Sequence, residues 1–195
     1  DALKFVTPNY IPVDTVRRSN GFLANTFDSA PAQVQFDVET ASAASGGGNG
    51  AIEVVHLTTR GLQYLGEVGN VSSVTNTTVV TITGTSLAAD DCIVNNDIYF
   101  TSGDASGEGG TITDYNGTTK VVTFTPAITA PSATDGYAIG PKVVISGDGQ
   151  GANVRCTVNS TGGINATAVI SGGNNYSNAS ISIISNTSQS NSFNP

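Results

Sequence analysis

The chain lacks methionine and tryptophan, and charged residues are scarce. Only 11% of its 195 residues are charged, against about 25% in an average soluble domain. Seven Lys and Arg against 15 Asp and Glu give a net charge of −8, which argues against a nucleic-acid partner because phosphate binding needs clustered cations. The longest apolar runs span only a few residues, so the sequence predicts no membrane-spanning helix.

Histidine and cysteine are also rare. One His and two Cys cannot form a closed four-ligand zinc site without carboxylates. No CxxC motif is present, and spacing alone leaves open whether Cys92 and Cys156 pair. His56 has no accompanying Gly-x-Ser-x-Gly motif, so a packed or surface histidine is favoured over a catalytic base.

Apolar and small residues make up much of what remains. The chain is 38% hydrophobic with 23 glycines and a mean hydropathy of +0.01, whereas disordered chains combine low hydrophobicity with high charge. Val, Ile and Thr recur in short runs between Gly and Asn. This composition predicts a folded all-β protein with many turns. Because the sequence begins with Asp1 and shows no signal-peptide pattern, we expect it to be part of a longer protein.

Five segments differ in composition. They are an extended, Pro-punctuated arm (1–40), the first part of a β module (41–70), an inserted small β-barrel or sandwich (71–141), a second β module (142–185) and a polar tail (186–195). The tail is expected to be mobile or held by a partner. In the arm, Arg17-Arg18 is either a solvated turn or a contact with an acidic neighbouring subunit.

The two β modules share short motifs. Asn49-Gly-Ala51 matches Gln150-Gly-Ala152, and Gly61-Leu-Gln-Tyr64 matches Gly173-Asn-Asn-Tyr176. The separation from Ala to Tyr differs, at 13 and 24 positions. We interpret this as an imperfect repeat interrupted by the insert.

Within the insert, the clearest signal is a hairpin. Asn116-Gly117 lies between two alternating runs, at 110–115 and 120–125, which is the strongest short-range hairpin pattern. Further short strands are expected at 78–83, 92–94, 98–100 and 137–139. Outside the insert, strands are expected at 33–38, 51–57, 143–146, 153–158, 166–170 and 181–184.

Three patterns in the sequence could carry chemistry. Gly147-x-Gly-x-Gly151 could cradle a phosphate only if a helix followed; the residues after it predict a strand, so turn and bulge glycines with positive φ are favoured. Five carboxylates occur within 19 residues: Asp90, Asp91, Asp97, Asp104 and Glu108. Solvated turns are favoured for them over weak calcium binding or glycoside hydrolysis.

The third pattern is eight Asn-x-Ser/Thr sequons. They lie at Asn70, Asn76, Asn116, Asn159, Asn165, Asn175, Asn178 and Asn186. In a secreted eukaryotic protein they would carry glycans. In a chain this rich in Asn, Ser and Thr, chance occurrence is favoured. No catalytic, cofactor-binding or metal-ligating residue is therefore predicted.

Three stretches resemble tailed-phage proteins. Residues 102–124 look like a small β module common in phage fibre and virion proteins, and residues 147–176 are similar to a Gly, Ala, Gly-x-x-Tyr repeat of phage baseplate proteins. Residues 2–13 resemble a segment in the middle of a baseplate wedge subunit of T-even-type contractile-tail phages, especially their cyanophage relatives. The insert is not part of the shortest members of that family, and the family's N-terminal half has no counterpart here.

The resemblance implies a non-enzymatic virion subunit that forms a homodimer and bridges other wedge subunits. The subunit that the resemblance implies needs no cofactor. The alternative is a receptor-binding fibre module that recognises host glycans with aromatic stacking faces. The six tyrosines that could supply such faces are Tyr10, Tyr64, Tyr99, Tyr115, Tyr137 and Tyr176.

Overall fold

The computed structural model describes residues 34–40, 50–61 and 64–184, and these residues form strands and turns without a helix. The all-β prediction is confirmed. The strands are β1 (Val34–Thr40), β2 (Ile52–Arg60), β3 (Glu67–Asn76), β4 (Val79–Ile82), β5 (Asp97–Phe100), β6 (Gly109–Asn116), β7 (Val121–Thr125), β8 (Gly136–Gly140), β9 (Lys142–Gly147), β10 (Gln150–Val158), β11 (Ile164–Asn174) and β12 (Ala179–Ile184).

Six of these strands close into a small barrel, which is one of the two forms, barrel or sandwich, that the sequence predicted. The barrel (β3–β8, residues 67–140) has the order β3-β4-β7-β6-β5-β8, and every pairing is antiparallel. Alternation in β4 and β7 sends every second side chain inward. The rings of Phe100 and Phe124 pack with centroids 5.9 Å apart. Closure pairs every strand on both sides, which leaves this sheet without an edge.

The remaining strands form a second body, the outer module (β1, β2 and β9–β12). It consists of three two-stranded antiparallel sheets, β1-β2, β10-β11 and β9-β12. These sheets lie next to one another in a ring, β2 beside β11, β10 beside β9 and β12 beside β1. They enclose a hydrophobic core of their own, which contains Ile52, Val55, Val143, Val154, Cys156, Val158, Ile164 and Tyr176.

The barrel is inserted into the outer module between β2 and β9. Its first and last strands are neighbours, with Glu67 opposite Ile139, so the chain leaves and re-enters the outer module at one place. β3 crosses the expected limit between residues 70 and 71, and the barrel begins at Glu67. The segments expected as two separate β modules contribute to one core, since Ile52 and Val154 belong to the same cluster.

In the insert, the differences between the expected and the observed strands lie at turns. The hairpin at Asn116-Gly117 is confirmed, but its loop has four residues because Asn116 pairs with Val121. Gly117 is needed for close packing, since a Cβ there would lie 2.3 Å from the Ala88 carbonyl oxygen. The strand expected at residues 92–94 is wrong: these residues form turns, and Ile93 is fully buried beneath them.

The repeat is visible in the backbone of the outer module. Gly50 and Gly151 have φ of +73° and +79°, and Gly61 and Gly162 have φ of +61° and +79°. Gly61 follows Gly50 by 11 positions, and Gly162 follows Gly151 by 11 positions. The equal spacing matches β2 with β10, and it aligns Gly61 with Gly162 rather than with Gly173.

Several expectations lie outside the described residues. They concern most of the arm at 1–40, including Arg17-Arg18 and Tyr10, the glycine-rich residues 45–49, and the tail at 186–195 with Asn186. Within the arm, the strand expected at 33–38 corresponds to β1.

Candidate functional site

Among the residues that the structure describes, the most concentrated set of buried charges lies where the barrel meets the outer module. Asp97 on β5 forms an ion pair with Arg155 on β10, through Oδ2 and Nη1. Their side chains are 3% and 13% exposed. The other carboxylate oxygen, Oδ1, accepts a hydrogen bond of 2.8 Å from Thr111 Oγ1 on β6. Both oxygens of this buried carboxylate therefore have partners, as burial requires.

A second cation extends this set. Lys142 at the start of β9 donates from Nζ to Thr111 Oγ1 at 3.2 Å. We call Asp97, Thr111, Lys142 and Arg155 the junction clasp. The barrel supplies its carboxylate and hydroxyl, and the outer module supplies both cations.

Burial is the largest influence on the Asp97 carboxyl. Loss of water raises its pKa above the ordinary range, and the Arg155 charge and the Thr111 hydrogen bond act in the opposite direction. The folded protein therefore binds a proton at this carboxyl more readily than the unfolded chain does.

Around the clasp, backbone segments of the two bodies touch closely. A Cβ on Gly140 would lie 2.1 Å from the Cys156 carbonyl oxygen, and a Cβ on Gly66 would lie 2.9 Å from Val158 Cγ2. The Cys156 thiol donates to the Pro141 carbonyl at 3.2 Å. A side chain is thus excluded at positions 66 and 140, where the chain passes between the bodies, and the two bodies pack directly against each other there.

A second buried carboxylate lies inside the barrel. Glu67 accepts hydrogen bonds from the Tyr137 hydroxyl at 2.7 Å and from Ser86 Oγ at 2.6 Å. Burial, followed by this contact with Glu67, raises the Tyr137 pKa well above its usual range. Gly84 lies against the same carboxylate, since a Cβ there would be 1.7 Å from Oε1. This network joins β3, β8 and the loop after β4.

The five clustered carboxylates do not converge. Asp90 accepts from the Gly117 amide at 2.7 Å and Asp91 accepts from the Tyr115 amide at 3.2 Å. Glu108 accepts from the amide and hydroxyl of Thr129, and Asp97 belongs to the clasp. Asp104 lies in an exposed turn. Within residues 50–61 and 64–184, no three His, Cys, Asp or Glu side chains are grouped as metal ligands are.

A shallow polar depression of about 520 Å³ lies on the outer module, lined by Ser146, Gly147, Asp148, Ser177, Asn178 and Ser180. Asp148 accepts from the amides of Ser177 and Asn178, each at 3.0 Å, and from the Ser177 hydroxyl. These hydrogen bonds, the hydroxyl first, lower the Asp148 pKa to about 2. The carboxylate here ties the loop before β12 to the turn between β9 and β10.

Asp148 stands inside the Gly147-x-Gly-x-Gly151 motif. The motif connects two strands, β9 and β10, and no helix follows it. Of its glycines only Gly151 has positive φ; Gly149 is required by contact, because a Cβ there would lie 2.4 Å from the Tyr176 ring. The prediction of positive φ throughout the motif is wrong for two of the three glycines. His56 is exposed on β2, opposite Asp37 of β1 in the strand register.

Three of the sequon asparagines hold their own turns. In Asn76-Thr77-Thr78, the Asn Oδ1 accepts from the amide two residues later at 2.8 Å. Asn116 and Asn159 do the same toward Thr118 and Thr161, each at 3.0 Å. At Asn76 and Asn159 the threonine hydroxyl two positions later donates to the same oxygen, at 2.9 and 2.8 Å. These asparagines therefore have a local structural role in their turns.

Most of the described tyrosines are buried. Tyr99, Tyr115, Tyr137 and Tyr176 are between 0% and 9% exposed, and Tyr64 is partly buried. The Tyr115 hydroxyl donates to the Leu87 carbonyl at 2.6 Å. Tyr115 and Tyr137 belong to the barrel core and Tyr176 to the outer-module core. Because Tyr99 is buried as well, none of these four side chains presents a stacking face.

Both cysteines are free thiols, Cys156 buried and Cys92 partly buried. Burial raises the pKa of each, that of Cys156 to about 12.

In the described part of the chain, no helix has the length and apolar character that crossing a membrane requires. Comparisons with protein-family models, with curated proteins and with solved structures find no significant match.

Proposed function

We propose that the chain is a structural virion protein of a tailed phage, a tail subunit or a subunit of the baseplate wedge. The observation that carries the proposal is the direct packing of two separately cored β bodies at one junction. Asp97 and Arg155 pair there under burial, and Gly66 and Gly140 allow the backbones to touch. A body with a fixed outline is what a subunit needs if it docks by shape.

The surface composition supports the same role. Only 11% of the residues are charged, and Ser, Thr and Asn occupy many exposed positions, among them Asn70, Ser73 and Ser180. Charged side chains lose hydration when an interface forms, and interface cores are correspondingly depleted in them. A neutral polar surface therefore suits large permanent contacts with other proteins.

The partners in this proposal are other baseplate or tail subunits, together with a second copy of the chain as a homodimer in the wedge. Nucleic acid and lipid are not among them. The role requires no catalytic residue and no cofactor, because docking uses shape and hydrogen bonding. Light scattering after gel filtration measures the dimer, for which we expect about twice the 19.7 kDa of one chain.

Immunogold labelling of whole particles tests the location. Antibodies against the chain are applied to particles of the phage whose genome encodes it, with particles of an unrelated phage as control. We expect gold at the tail base. Label on distal fibres, with none at the base, would contradict the baseplate proposal and favour the receptor-binding alternative. Intact particles without specific label would remove the virion proposal altogether.

A further inference from the structure

We propose that the junction clasp sets the orientation of the barrel relative to the outer module, so that breaking the clasp frees the barrel to pivot while both bodies stay folded. The inference concerns the two bodies of this chain and does not depend on the virion role. The two bodies have separate cores. The barrel core and the outer-module core are different clusters with no residue in common.

Two covalent connections join the bodies, one before β3 and one between β8 and β9. They leave adjacent strands, because Glu67 pairs with Ile139. Two connections so close together act as a single attachment, which by itself permits rotation. The contacts of Gly66 with Val158 and of Gly140 with Cys156 lie beside this attachment. Asp97 pairs with Gly140 and lies beside the attachment as well, but Thr111 lies one strand further away, on β6. The clasp therefore holds the barrel at a greater distance from the attachment than the glycine contacts do.

The clasp differs from these packing contacts because it consists of directional hydrogen bonds and an ion pair. Arg155 Nη1 reaches Asp97 Oδ2, while Thr111 Oγ1 fixes Oδ1 and receives Lys142 Nζ. Hydrogen bonds weaken steeply when their angles change, whereas apolar contact tolerates sliding. The charges are also divided between the bodies, so rotation would separate the anion on the barrel from both cations on the outer module.

A gain in folding stability is a poor explanation for the ion pair of Asp97 and Arg155. Burying two charges costs much of what their attraction provides, and well-packed apolar substitutes are often neutral or stabilising. Specification of one arrangement is a role attested for buried polar groups in some other proteins. An apolar pair at 97 and 155 should therefore keep both bodies folded and lose the fixed orientation.

Residual dipolar couplings of backbone amides test this in the full chain. In the wild type, one alignment tensor should fit the couplings of barrel and outer module together. In the double variant Asp97→Leu/Arg155→Met, the barrel and the outer module should each fit well alone but require tensors of different magnitude. Amide shifts near Phe124 and Tyr176, one in each core, should stay in place and report that both bodies remain folded.

The matched control is Asp148→Asn, which removes a carboxylate from the outer module away from the junction and should keep the single tensor. A double variant that still fits one tensor overturns the proposal. If the Leu/Met pair does not fold, Asp97→Asn/Arg155→Met is measured in the same way, and a single tensor there overturns the proposal equally. A failed immunogold experiment would leave these couplings unaffected, so the two proposals fail separately.

Discussion

The amide of Tyr176 donates to the carbonyl oxygen of Gly50 at 2.9 Å. These residues belong to opposite halves of the imperfect repeat. The other half returns the contact, because the Tyr64 amide donates to the Gly162 carbonyl at 2.9 Å. In each half, the amide of a tyrosine thus donates to the carbonyl of a glycine in the other half, and both glycines have positive φ. These contacts join the two halves around one core.

Substitution of Gly50 tests the interlock. A Cβ in Gly50→Ala would lie 2.5 Å from the Tyr176 carbonyl oxygen, and φ is +73°. Left-handed backbone costs an alanine about 1–2 kcal/mol, and the collision adds to that cost. The control is Gly107→Ala, where φ is +84° but no atom lies within 4 Å. Denaturant unfolding should show a larger loss for Gly50→Ala; equal losses would mean that Tyr176 moves aside freely.

Independent folding of the barrel is expected from its adjacent ends and separate core. A fragment of residues 64–141 keeps the contact between Asn96 Nδ2 and the Leu65 carbonyl and all six barrel strands. We expect dispersed amide resonances and a cooperative melt. The same fragment carrying Phe124→Ala should lose about 3–5 kcal/mol, enough to unfold a small domain. A wild-type fragment without dispersion would show that the outer module is needed for the barrel to fold.

The cysteines should differ in reactivity. Burial raises the Cys156 pKa from 9.0 to about 12, so at pH 8 its thiolate fraction falls about a thousandfold. Cys92 is partly exposed, and native alkylation followed by mass spectrometry should label Cys92 first. The single variants Cys92→Ser and Cys156→Ser assign the two rates. Labelling of Cys156 as fast as in denaturant would show that the junction opens readily.

Asp148 gives a pH-dependent prediction. Its pKa of about 2 in the folded state lies below the ordinary aspartate value of about 3.9. Its stabilisation is therefore present above pH 3.9 and disappears as the pH falls toward 2. The melting temperature of Asp148→Asn should lie below that of wild type at pH 6, and the two should converge at low pH. Asp104→Asn, in an exposed turn, should show no such convergence, and a constant offset for Asp148→Asn would contradict the assignment.

Local pattern was enough to predict many of the strands. Every second residue of β4 and β7 is a large apolar side chain that faces inward, and this period of two is typical of a strand. The prediction at residues 92–94 was wrong because three apolar residues fit a buried turn as well as a strand. β3 was not predicted because its two buried positions, Glu67 and Val71, are four apart and one of them is charged.

The junction could not be predicted in the same way. Asp97 and Arg155 are 58 positions apart, and an ion pair leaves no periodic trace in the sequence. Asp97 also stood among four other carboxylates, which made a common role for all five the natural hypothesis. Only the fold separates them, by burying one beside a cation and leaving the others in turns and loops.

The pairing of Glu67 with Ile139 brings the two ends of the barrel to within one strand pair, about 5 Å. Closely spaced ends are the geometry in which one domain can be inserted into a loop of another. The barrel therefore stands in the outer module at a place where a short loop between β2 and β9 would otherwise be enough.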